Sequence, residues 1–120
     1  MHADFFFDVA AHAADTGAVA AVAFSLLRLP DFERRESENY AGGEYFCVTS
    51  EGLAFELAIN EYSDGVQLGY WLSIEDFEGS DEKDFEQRVD RYMSWGMREG
   101  CDRIARVYDF GKKSMRVAML

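Results

Sequence analysis

Proline is nearly absent from this 120-residue chain, with Pro30 the only one. That excludes a proline-rich linker, and the length fits one domain spanning 1–120. Cysteine is also scarce. Cys47 and Cys101 are too few for the disulfide framework of a small secreted domain, so both read as reduced thiols in a cytoplasmic protein. The apolar stretch Gly17 to Leu29 is too short to cross a bilayer. The first charged residues are Asp4 and Asp8, where an export signal would place basic ones, so no export signal and no membrane segment are expected.

Positive charge is in short supply as well. There are 12 Lys+Arg against 23 Asp+Glu, a net charge of −11. The imbalance is local. Glu36 to Asp90 holds 15 acids and 2 bases, whereas Arg91 to Leu120 holds 3 acids and 7 bases. Such a field excludes nucleic acid and anionic membrane as partners and favours a basic protein. The basic final segment is also placed to pair internally with the acidic middle, which would dull that field.

What the chain does have is core material. Apolar residues make up 48% and aromatics 15%, which excludes disorder. Residues 4–14 read as a short helix. Asp15 or Thr16 caps a second helix, Gly17 to Leu29, with Val19, Val22, Ala23 and Leu26 on one face. Residues 31–43 read as a loop. Three strands follow, Glu44–Thr49, Leu53–Glu61 and Val66–Glu75, joined by short turns into an antiparallel meander. Ser80 or Asp81 caps a third helix reaching Glu99, with Phe85, Val89, Tyr92, Met93 and Gly96 facing inward. Strands Arg103–Asp109 and Ser114–Met119 complete the order ααβββαββ. The expected fold is α+β: an antiparallel sheet of about five strands with N-terminal helices and one long helix between strands 3 and 4.

Catalytic patterns are wanting. Cys47 or Cys101 with His12 would be the available nucleophile pair, but nothing positions them together. Neither His2 nor His12 has metal-ligand spacing with a cysteine. The clusters Glu75/Asp76/Glu78 and Asp81/Glu82/Asp84 read as a solvated surface, without calcium-loop spacing. The glycines form no phosphate-binding fingerprint. No cofactor or metal is implied. Trp71 has two readings, because strand alternation places it opposite its strand's apolar set. It is either an exposed anchor for a partner or a core residue under the alanine-rich helices.

One segment carries a resemblance. Ser37 to Phe46 reads SENYAGGEYF, followed by Gly52-Leu53 and a strand ending in acidic residues. This resembles bacterial immunity proteins, the cytosolic antidotes of contact-dependent and other polymorphic toxin systems. The resemblance covers about a third of the chain and implies a small α/β protein that neutralises one toxin domain by binding it.

Together these features imply a non-enzymatic acidic protein whose partner is basic, such as a nuclease-like toxin domain. The expected interface is Glu56, Glu61, Asp64, Trp71, Glu75, Asp76 and Glu78. The alternatives are a small enzyme or ligand-binding domain with a pocket between sheet and helices, and a homodimer that adds the edge strand Ser114–Met119 to a partner sheet.

Overall fold

The computed structural model describes residues 1–9, 15–61 and 68–120. In chain order the elements are β1 (His2–Val9), α1 (Thr16–Leu26), β2 (Glu33–Glu36), β3 (Glu44–Ser50), β4 (Leu53–Ile59), β5 (Tyr70–Asp76), α2 (Glu82–Ser94), α3 (Met97–Gly100), β6 (Cys101–Tyr108) and β7 (Arg116–Met119). The fold is α+β, and the described residues form one antiparallel sheet of seven strands in the order β2-β3-β4-β5-β1-β6-β7. The expected count of five strands in the order ααβββαββ is therefore corrected.

The largest correction is at the start. Residues 2–9 form a strand, not the beginning of a helix, and residues 10–14 lie outside the described residues. β1 is the central strand, paired with β5 on one side and β6 on the other. Ala3, Phe5, Phe7 and Val9 pack into the core beneath the helices, while Phe6 packs into a second cluster on the opposite face. A strand buried on both faces loses the two-residue alternation that distinguishes strands from helices. Only its aromatic content favours the strand.

The polar stretch 31–43 contains the second unexpected strand, β2. Its residues Glu33, Arg34, Arg35 and Glu36 are all exposed at a sheet edge, so no hydrophobic pattern marks them.

The helices lie on one face of the sheet. Asp15 caps α1, its carboxylate accepting the Ala18 N–H at 2.7 Å. The buried side of α1 is Thr16, Val19, Ala20, Ala23 and Phe24. Val22, expected to face inward, is 42% exposed. The helix ends before Pro30, where Arg28 takes a left-handed conformation and the Leu29 N–H returns to the Phe24 carbonyl. Asp81 caps α2, which buries Phe85, Val89, Tyr92 and Met93 as its spacing predicts. The long third helix breaks at Gly96 into α2 and the single turn of α3. Leu26 fills the space there, and a Cβ on Gly100 would lie 2.5 Å from its Cδ1.

Phe6 is fully buried although it points away from the helices. Phe6→Ala is therefore expected to cost about 3–5 kcal/mol, the range for deleting a buried aromatic. Urea denaturation measures it; a loss below about 1 kcal/mol would show that this face contributes no packed core.

Candidate functional site

The face opposite the helices is covered only in part, by side chains and two loops. Residues paired across antiparallel strands share a face, so the register lays out this surface. Ser73 on β5 lies between Glu56 on β4 and Asp4 on β1. In the next row, Trp71 lies between Ala58 and Phe6. On the other side of Ser73, Glu75 lies between Ala54 and His2.

The segment Ser37–Phe46 forms one of the flanking loops and enters β3. The Ser37 N–H donates to the Gly43 carbonyl at 3.0 Å, and the Asn39 N–H to Ser37 Oγ at 3.2 Å. Gly42 and Gly43 have φ values of 75° and 72°, two successive left-handed residues that a side chain would strain. The turn brings Tyr40 back over the sheet, stacked on Tyr45 at 4.5 Å and 6.3 Å from Trp71. From the opposite side, the loop after β6 lays Phe110 on Trp71, with centroids 4.8 Å apart and planes 6° from parallel. Phe110 also meets Phe6 edge-on at 5.9 Å. Tyr45, Tyr40, Trp71 and Phe110 thus form a row of rings across the sheet.

Carboxylates are set among these rings. Glu56 accepts a hydrogen bond from the Tyr40 hydroxyl at 2.7 Å. Burial and that carboxylate both push the Tyr40 pKa upward, so the hydroxyl stays a donor. Asp4 accepts the Trp71 indole N–H at 3.0 Å. Burial raises the Asp4 pKa above 3.8, although the Trp71 bond pulls it the other way. Glu75 is exposed, with His2 Nε2 4.0 Å away. A groove of about 660 Å³ lies over Asp4, Glu56, Trp71, Ser73 and Glu75, with Phe110 and Lys112 on its rim. It reaches Glu82 and Glu86 near the start of α2. A second recess, lined by Asn39, Tyr40, Ile59 and Glu61, also touches Trp71. Trp71 is half-buried between the two, and it is the loop rings rather than the helices that cover it.

Four of the expected interface residues, Glu56, Glu61, Trp71 and Glu75, border these two recesses. Asp64 lies outside the described residues. Asp76 and Glu78 are elsewhere. Asp76 follows Glu75 in an extended strand and so turns to the other face, opposite Leu53. It is buried, and its carboxylate accepts N–H groups from Glu78, Gly79 and Ser80 at 2.8, 3.2 and 2.8 Å. Those bonds, led by Glu78, lower its pKa. Glu78 is exposed and sits against Gly52 in the β3–β4 turn. Asp4, Tyr40 and Phe110 were not anticipated. Asp4 was hidden by the helical reading of its segment, and the two rings by lying in loops that only the tertiary fold brings to Trp71.

Ion pairing sorts the acids into two groups. Arg91 pairs with Glu51, Arg98 with Asp90, Arg103 with Asp8 and Arg106 with Glu86. The basic final segment therefore does neutralise acids, Glu86 at the far end of the groove among them, but none of these four pairs involves Glu56, Glu61 or Glu75. Glu56, Glu61 and Glu75 have no Lys or Arg partner among the described residues.

Neither cysteine is activated as a nucleophile. Burial raises the pKa of Cys47, and pushes that of Cys101 up to about 12, the reverse of what a nucleophilic thiol needs. His12 lies outside the described residues. Among the described residues no cluster of three or more His, Cys, Asp or Glu is arranged to hold a metal ion. None of their helices is long and apolar enough to cross a membrane. No protein-family model matches the chain, and neither a curated protein nor a solved structure matches it significantly.

The two buried aspartates have opposite pH signatures. Asp4 binds its proton more tightly folded than unfolded, so its contribution to stability declines as pH rises from 3.8 through the raised value. Asp4→Asn, which keeps an acceptor for Trp71, should remove that decline and be no less stable than the parent at pH 7. Equal destabilisation at pH 3 and pH 7 would contradict this. Asp76 contributes stability above 3.8 that disappears as pH falls through its lowered value. Asp76→Asn sets an amide donor against the Ser80 N–H, so thermal melts should show a lower midpoint at pH 7 and convergence with the parent in strong acid.

Proposed function

We propose that this chain is a non-enzymatic binding protein that docks a basic protein on the open face of its sheet. The carrying observation is the pattern of charge compensation. Four C-terminal arginines are tied to other acids, Arg106 to Glu86 at the far end of the groove, while Glu56, Glu61 and Glu75 border the recesses around Trp71 with no Lys or Arg partner among the described residues. Trp71, Tyr40 and Phe110 supply flat apolar area beside those carboxylates, a composition suited to Arg and Lys side chains.

The more specific reading is an immunity-type role: neutralising a basic, nuclease-like toxin domain by covering its anionic-substrate site. Its support is the Ser37–Phe46 segment and the net charge of −11. That segment also builds the loop that carries Tyr40. An acidic face would speed encounter with such a domain, up to roughly 10⁸–10⁹ M⁻¹s⁻¹ at low salt.

The test is binding to a toxin domain encoded beside this gene, with protection of cells that express it. Glu56→Lys with Glu75→Lys should slow association at least about tenfold at low salt and flatten its salt dependence. Trp71→Phe should act mainly on dissociation. Unchanged kinetics in the Glu double variant would place the interface elsewhere. Failure to bind or protect against any neighbouring toxin would remove the immunity role.

A further inference from the structure

The two edges of the sheet are built differently. β2 carries exposed Glu33, Arg34, Arg35 and Glu36, and its arginines pair with Glu33, Glu36 and Glu44. Charge of this kind keeps other strands away. β7 at the other edge reads Arg-Val-Ala-Met, with one charge. Among the large apolar residues exposed in the described structure, Tyr108, Met119 and Leu120 cluster on the β6–β7 hairpin.

The backbone of β7 has a defined outward set of groups. Leu120 N–H donates to the Ile104 carbonyl at 3.0 Å, and Ala118 and Arg116 pair with Arg106 and Tyr108. Antiparallel bonding alternates, so residues 116, 118 and 120 bond inward. Val117 and Met119 then point their N–H and C=O groups away from β6, and no strand covers them among the described residues.

We infer that β7 pairs with β7 of a second copy of this chain, antiparallel, with Ala118 on the two-fold axis. This register is its own complement. Val117 meets Met119 of the second copy, and the same pair recurs across the axis, giving four inter-chain backbone hydrogen bonds. Ala118 faces Ala118, the smallest contact available on the helix side. Arg116 falls opposite Leu120, so no like charges are opposed. On the helix side, a cleft of about 120 Å³ between α2 and this edge has Val89, Met93, Tyr108 and Leu120 in its wall together with the paired charges Glu86–Arg106 and Asp90–Arg98, so α2 does not fully cover the edge. A second copy brings its own Leu120 to that uncovered side. The two sheets then join into one of fourteen strands. This inference does not depend on the basic-partner reading and is tested without any partner.

Sedimentation equilibrium of the full chain from about 1 µM to about 1 mM covers the affinities of an interface below standard size. A reversible monomer–dimer equilibrium is expected within that range. Val117→Pro removes an outward N–H but no bond to β6, so it should leave a folded monomer. Met119→Lys places a charge in the pairing and should weaken the dimer at least about tenfold, equivalent to about 1.4 kcal/mol. Circular dichroism checks that each variant folds, and Met119→Lys decides the matter if Val117→Pro does not. A monomer throughout the range, or a dimer that folded variants leave intact, overturns the inference.

Discussion

The insertion of β1 between β5 and β6 is the constraint on which the other features depend. Without it the β2–β5 meander and the β6–β7 hairpin would be separate pieces of sheet. With it, Phe5 and Phe7 enter the core under the helices while Phe6 seats a second cluster on the opposite face. Asp4 and Asp8, beside Phe6 on that face, are each satisfied by a group from another segment: the Trp71 indole and the Gly69 N–H. Burial on both sides fixes the register, because a slip of one residue would drive Asp4 and Asp8 into the helix-side core.

The open face inherits its character from this arrangement. Phe6 supports Phe110, Phe110 stacks on Trp71, and Trp71 bonds to Asp4. Tyr40 closes the row from the other side and bonds to Glu56. Each ring that contributes apolar area thus has a neighbour that fixes its place, so the surface is formed before any partner arrives. Such preorganisation lowers the entropy that binding must overcome.

Much of the helix layer was legible in the sequence. Asp15 and Asp81 announce the two caps, and the stripe Phe85, Val89, Tyr92, Met93 identifies the buried side of α2. β4 was equally clear, since Leu53, Phe55 and Leu57 alternate with Ala54 and Glu56. β1 was not, because a doubly buried strand followed by alanines has no alternation to read. β2 was not, because an all-charged edge strand has no apolar residues. Of the candidate site, alternation correctly set Trp71 and Glu56 on the face away from the main core. The same rule, applied one residue further, separates Glu75 from Asp76, so the acidic run cannot make one continuous surface. Asp4, Tyr40 and Phe110 are brought together by long-range pairing, which local pattern does not encode.

Central placement of the first strand has a kinetic consequence. β1 precedes both of its partners, residues 70–76 and 101–108, in the chain. During translation the Phe5–Phe7 run has no neighbour on one side until most of the chain has emerged, and closing such distant contacts is slow. Asp4 and Asp8 flank that run directly. In the folded protein they are hydrogen-bonding groups; in an unfolded chain, charges at both ends of three consecutive phenylalanines are of the kind that hinders aggregation.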